Sequence, residues 1–241
     1  MDLDPLIVNG IKESSRVVNE LGQYATLNMF QTMGVMQKAG DSFKKEELFE
    51  QLYILPKYRK LYEAMMDILI QAGFIEIRYD KVIVTAKAEI DDIQQQMLDK
   101  RNEIHESYPT AKPYVDLLWV CSQNIAAILT GKETAQNIMF PNASMKLVEG
   151  IYKNNKISEY FNQVTTKAVI AYIKAKLELN GSNQKIKIIE IGAGTGGTAT
   201  QVLQEISHYS KNVHYVYTDI SKAFIIFAKK TIQCHYSKNS S

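Results

Sequence analysis

Apolar residues recur every three or four positions through the first third of the chain. Val17, Leu21, Tyr24 and Ala25 share one face of a predicted helix. Gly40-Asp41-Ser42 interrupts that pattern, and Ser42 is placed to cap a second helix over Glu46–Leu52. Leu55-Pro56 breaks the pattern again. A third helix is predicted over Arg59–Gln71, with Leu61, Met65, Ile68 and Leu69 on one face and Gly73 closing it. The period then drops to two. Ile75, Ile77 and Tyr79 alternate with Glu76 and Arg78, Asp80-Lys81 turns, and Val82-Ile83-Val84-Thr85 returns, which is a hairpin pattern. Helices followed by a two-stranded wing give residues 1–100 a winged-helix order.

Residues 101–182 read as a helical lid. Pro109, Pro113 and Pro141 punctuate it. Leu117, Leu118, Cys121, Ile125 and Ile128 share a face that Gly131 ends, and a short helix is expected between Thr134 and Pro141. Tyr160-Phe161-Asn162 falls between two helical stretches, the later one carrying Val169, Ile170, Ile173 and Leu177. The polar link Asn180-Gly181-Ser182-Asn183 then marks a domain boundary.

Residues 183–241 change character. Lys185–Ile191 is rich in β-branched residues and reads as a buried parallel strand. It runs into Gly192-Ala193-Gly194-Thr195-Gly196-Gly197, followed by Ala199, Val202, Leu203 and Ile206 at helical spacing. Strand, glycine turn and helix make the first unit of a nucleotide-binding α/β domain, in which glycines let the backbone approach a ligand and the helix presents its first amides. A second strand, Val213–Thr218, ends at Asp219, where such folds hold ribose hydroxyls. Ser221 can cap a helix bearing Phe224, Phe227 and Ala228. The fold class is therefore α/β, with a mostly helical N-terminal region ahead of the first βαβα portion of a Rossmann-like core.

Composition narrows the function. The 241 residues are 46% hydrophobic with net charge +2, too balanced for nucleic-acid or membrane binding by electrostatics. The third helix offers Lys57, Arg59 and Lys60 but then Glu63 and Asp67, which favours packing or dimerisation over a DNA-reading role. No apolar run is long enough to span a bilayer, and Met1-Asp2-Leu3-Asp4-Pro5 is unlike a secretory signal. Two distant cysteines, Cys121 and Cys234, suggest neither a metal site nor a disulfide framework, and fit the cytoplasm. The polar tail Ser237–Ser241 is expected to fray.

The glycine spacing alone admits a dinucleotide, since Gly192, Gly194 and Gly197 satisfy that fingerprint. Two features favour S-adenosylmethionine. Glu190, two residues before the first glycine, suits a cationic amino-acid group and would repel a pyrophosphate. About 180 mostly helical residues also precede the strand, where dinucleotide domains more often begin with it.

Ile189-Glu190-Ile191-Gly192-Ala193-Gly194-Thr195-Gly196-Gly197-Thr198 and Tyr217-Thr218-Asp219-Ile220-Ser221 closely resemble the methyltransferase domains of modular polyketide synthases and nonribosomal peptide synthetases. Ile128-Leu129-Thr130-Gly131, Met139-Phe140-Pro141 and Tyr160-Phe161-Asn162 are similar to the helical lid before that core. The resemblance covers roughly Tyr114 to Lys230. It implies a class I domain that binds S-adenosylmethionine and acts on an acyl chain carried by the phosphopantetheine arm of an acyl carrier protein. Glu190, Gly192, Ala193, Gly194, Thr195 and Gly196 would line the methionine side, Asp219 would hold the ribose and Ile220 would lie against adenine. Tyr160 and Asn162 would face the pocket from the lid.

The resemblance also implies further strands that carry the catalytic residues, and fewer than sixty residues follow the first core strand. His208, His214 and His235 lack the context of a catalytic base, so no catalytic residue is assigned. The expectation is a synthase portion that is inactive alone and is completed by other synthase domains or another chain. A non-catalytic docking module and a winged-helix DNA-binding regulator are the alternatives.

Overall fold

The computed structural model describes residues 5–144, 146–152 and 156–236. The acidic N-terminus through Asp4 and the tail from Ser237 lie outside the described residues, as do the side chains of Cys234 and His235. The chain divides into two compact units, Met1–Val148 and Glu149–Ser241.

The first unit opens with α1 (Pro5–Thr32), β1 (Ser42–Lys44), α2 (Lys45–Gln51) and α3 (Arg59–Ala72). β2 (Ile75–Arg78) and β3 (Lys81–Val84) then form the expected hairpin, and β1 adds to it in the antiparallel order β1-β3-β2. The predicted cap at Ser42 is corrected here. Ser42 lies in a strand, and the extended residue before α2 is Lys44, which makes no side-chain cap bond. Asp41 organises the approach instead, its Oδ2 accepting the N–H of Gln37 and of Lys38, each at 3.0 Å.

The buried stripe of α3 is also rotated from the expected one. Tyr62, Met65, Met66, Leu69 and Ala72 are buried, while Leu61 and Ile68 lie on the exposed side. Tyr62 decides this, sitting edge-on to Phe30 and Phe49 at 6.1 and 5.2 Å in the core with Leu27 and Leu48. Arg59 lies over the Phe49 ring at 4.2 Å and pairs with Glu46 at 3.4 Å, so the first cation of α3 is engaged within the fold.

α4 (Ile93–Ser107), α5 (Lys112–Leu129) and α6 (Ala135–Met139) complete this unit, and α7 (Lys146–Tyr152) begins at its edge. Gly131 closes α5 with φ +78°, and a Cβ there would meet Leu55 Cδ1 at 2.8 Å. The Leu55 N–H donates to the Leu129 carbonyl at 2.9 Å, so the close approach fixes the loop before α3 against the end of α5.

The second unit contains α8 (Lys156–Asn180), β4 (Ile186–Glu190), α9 (Gly197–Ile206), β5 (Val213–Tyr217) and α10 (Lys222–Tyr236). β4 and β5 pair in parallel, Ile186 opposite Val213 through Glu190 opposite Tyr217. Ile173 of α8 and Val202 and Ile206 of α9 bury one sheet face with Ile186, and Val169, Ile170, Leu177, Ile188 and Tyr215 pack around them. α8 therefore belongs with this core, although the sequence groups its residues with the lid. Tyr160-Phe161-Asn162 is not an interruption but lies inside the single helix α8. Among the described residues no helix is long and apolar enough to cross a membrane, and no cluster of His, Cys, Asp and Glu could hold a metal.

Gly131→Ala should destabilise the chain by about 1–2 kcal/mol from the left-handed backbone alone, with displacement of Leu55 adding to it. Urea denaturation followed by circular dichroism will show a lower midpoint; an unchanged midpoint would contradict this packing.

Candidate functional site

After Glu190 the chain must pass from strand to helix in six residues. Gly192, Gly194 and Gly196 do this at φ of +70°, +57° and +79°, a region that costs a residue with a side chain roughly 1–2 kcal/mol. A Cβ at Gly192 would meet nothing within 4 Å. The turn therefore leaves open space beside its backbone, and the left-handed Gly196 caps α9, whose first amides have no partner within the helix.

The two strand ends are fastened beyond the ladder. The Thr218 N–H donates to the Glu190 carbonyl at 3.0 Å, and the Ala193 N–H donates to the Thr218 carbonyl at 2.9 Å. Thr218 Oγ1 donates to the same Glu190 carbonyl at 2.6 Å. Asp219 then ties the turn to the second strand. Its Oδ2 accepts the Gly194 N–H at 2.9 Å and its Oδ1 accepts the Ser221 N–H at 2.7 Å. Each carboxylate oxygen keeps a further lone-pair site for a ligand hydroxyl.

Side chains close the arrangement from the helix-covered face. Residues directly opposite in a sheet point the same way, so Glu190 shares a face with Tyr217 and, two residues back along β5, with Tyr215. Tyr215 Oη donates to Glu190 Oε2 at 2.6 Å, and Tyr217 Oη donates to the Gly194 carbonyl at 2.6 Å. From α8, Asn162 Oδ1 accepts the Thr198 hydroxyl at 2.7 Å. A Cβ at Gly197 would come within 3.3 Å of Asn162 Nδ2, so the absence of a side chain lets α8 approach the start of α9.

Most residues singled out from the sequence thus converge. Glu190, Gly192, Ala193, Gly194, Thr195, Gly196 and Asp219 lie in or beside one turn, and Asn162 reaches it through Thr198. Ile220 follows Asp219 with its side chain wholly exposed. Tyr160 lies on the same helix as Asn162 but two positions earlier, about 200° around the axis. Its ring stands edge-on to Phe161 at 5.4 Å. His208 sits in the 3-10 turn after α9 and His214 in β5, as the sequence indicates. Tyr215, Tyr217 and Thr198 were not foreseen. The signal was present for the first two, since tyrosines two apart at the end of a strand must share a face.

Polyketide synthase PksM of Bacillus subtilis (strain 168) is 33% identical to the chain over 211 residues, 87% of this chain and 5% of PksM. The crystal structure of DszA carbon methyltransferase matches with a TM-score of 0.82 at 29% identity, covering 93% of this chain and 57% of that one. In sequence the chain is similar to part of a polyketide synthase, and in fold to a carbon methyltransferase. The trans-methyltransferase CalH, solved in complex with SAH, shares the fold at a TM-score of 0.53 and 16% identity, over 93% of this chain and 55% of its own. No protein-family model matches. The chain spans only a small part of the length of the curated synthase relatives it matches.

Within this methyltransferase-domain fold the electrostatics centre on Glu190. Burial raises its carboxyl above the usual range, and the Tyr215 hydroxyl pulls the other way. Tyr217 is pushed up to about 12 by burial and by the nearby Glu190 and Asp219. An acid raised by folding binds its proton more tightly in the native state than in the unfolded state. Its ionisation therefore costs stability as pH rises from the ordinary glutamate range through the raised value. Below that window both states hold the proton and the cost is absent. Glu190→Gln should match the native protein in stability at low pH and exceed it at neutral pH. Thermal unfolding across that range tests this, and parallel stability curves would contradict it.

Proposed function

We propose that the chain is the cofactor-binding part of an S-adenosylmethionine-dependent carbon methyltransferase within a polyketide synthase. Its substrate is an acyl chain held on the phosphopantetheine arm of an acyl carrier protein. The observation that carries this reading is the open glycine turn set between Glu190 and Asp219. The similarity to DszA, a carbon methyltransferase, supports the choice of carbon as the methylated atom.

When bound, S-adenosylmethionine supplies a methyl group on a sulfonium, ready for attack by a nucleophile. The residues present fit that ligand. Glu190 accepts a hydrogen bond from the ammonium of its amino-acid part. Gly192 through Gly196 let this part lie against bare backbone, while the first amides of α9 face the turn. Asp219, already oriented by two backbone N–H groups, accepts from the vicinal ribose hydroxyls. Ile220 offers an exposed apolar surface to adenine. Asn162 holds α8 to the start of α9 through Thr198.

None of these residues is assigned to removing the substrate proton. The reading is that the 241 residues bind cofactor but transfer no methyl group alone, and that other synthase domains or another chain complete the site. The match to DszA, which covers 57% of that chain, supports this.

Calorimetry of the chain with S-adenosylmethionine should give saturable binding. Asp219→Ala should weaken it roughly tenfold or more, the scale of losing a hydrogen bond to a charged group. Methyl transfer to an acyl-carrier substrate, followed with labelled cofactor, should be absent for the chain alone. No binding, or equal binding by the Asp219→Ala variant, would overturn the cofactor assignment. Efficient turnover would overturn the reading that the chain is inactive by itself.

A further inference from the structure

The carboxylate meant to receive the ligand's ammonium stands on a partly buried strand end, where a charged group is poorly solvated. Only one described side chain donates to it. Tyr215 reaches Oε2 from the neighbouring strand at 2.6 Å, a distance typical of a hydroxyl bonded to a charged oxygen. The register explains how. Tyr215 stands opposite Ile188, two residues before Glu190 on the same face, so its long side chain runs diagonally to the carboxylate. Tyr217, directly opposite Glu190, bypasses it and donates to the Gly194 carbonyl. Two phenols on one strand face thus hold two different parts of the site.

We propose that Tyr215 is a positioning residue for cofactor binding: it fixes the Glu190 carboxylate so that this group can receive the ligand's ammonium. The inference rests on the cofactor reading above and extends it to a residue outside the ligand-lining set. Tyr215 itself remains a donor throughout the working range, because burial and Glu190 hold its phenol far above the usual value. The titratable groups around Glu190 are the phenols of Tyr215 and Tyr217 and, past the end of β5, the carboxylate of Asp219. α8 and α9 bring Asn162 and Thr198 to this end, neither of which titrates. Among the described residues no cation acts on the Glu190 carboxyl, and the Tyr215 bond is what opposes the effect of burial.

A merely structural tyrosine would weaken binding equally at every pH. A positioning tyrosine gives a pH-dependent defect. Without its hydroxyl, burial acts alone, Glu190 takes up its proton at higher pH, and the ammonium loses its partner first under mildly acidic conditions.

The experiment is calorimetric titration of the 241-residue chain with S-adenosylhomocysteine between about pH 5 and pH 8, paired with carbon NMR of the Glu190 carboxyl in the ligand-free chain. For Tyr215→Phe the carboxyl titration and the affinity midpoint should both move to higher pH, with affinity roughly fivefold weaker at the acidic end than at the alkaline end relative to the native chain. Tyr217→Phe should lower affinity evenly and leave the midpoint in place. Unmoved midpoints in Tyr215→Phe would overturn the proposal. If the native chain binds no S-adenosylhomocysteine, the cofactor reading falls and the proposal with it; a carboxyl titration that still moves would place the failure in that reading, not in the Tyr215 contact. Should Tyr215→Phe not fold, Glu190→Gln carries the test. Its affinity should be weak and flat with pH, and retention of the native pH profile would overturn the proposal.

Discussion

The hydrogen bond from the Gly194 N–H to the Asp219 carboxylate joins the glycine turn to the second core strand. A parallel pair of strands ends with its backbone groups facing outward, and the chain after each strand must leave in a new direction. Here the two exits are tied together before they part. Thr218 and Ala193 extend the ladder by backbone bonds, and Asp219 takes one amide from the turn and one from its own exit. Gly194 can meet the carboxylate because its backbone adopts a positive φ that other residues resist. If the tie were lost, the turn would keep its glycines but not a fixed position relative to the acid.

The same end of the sheet carries an opposed pair of electrostatic demands. Recognition of a cationic group needs an ionised carboxylate, while the helix-covered face that gives Glu190 a fixed place also disfavours its charge. The Tyr215 hydroxyl offsets part of that penalty without introducing a competing cation. Asp219 is treated differently, since backbone amides occupy both its oxygens. One acid is thus tuned by a side chain and the other oriented by the main chain, as the proposed function asks of groups that would meet an ammonium at one end of the cofactor and a diol at the other.

Much of this was legible in the sequence because it is local. The β-branched run through Ile189, the dense glycines and the acid after Val213–Thr218 each carry their meaning within a few residues, although the strand expected to be buried leaves Ile189 exposed on its second face, and the hairpin at Ile75–Val84 follows from alternation. What was missed depends on partners distant along the chain. The stripe on α3 turned because Tyr62 finds Phe30 and Phe49, a preference that no spacing within the helix reveals. β1 has three residues, too few for a period to show. α8 looked interrupted because adjacent Tyr160, Phe161 and Asn162 must point to different sides of one helix. The bond between Asn162 and Thr198 joins positions 36 residues apart. It adds to the apolar packing of Ile173 with Val202, Ile206 and Ile186 that makes this helix part of the core unit.

In the proposed function the glycine turn between Glu190 and Asp219 receives S-adenosylmethionine. Titrating that cofactor into nitrogen-labelled chain, and following the backbone amides by NMR, tests it residue by residue. Saturable shifts are expected at Gly192, Gly194, Gly196 and Gly197 and at Asp219 and Ile220. Shifts confined to other parts of the chain, or none at saturating cofactor, would contradict it.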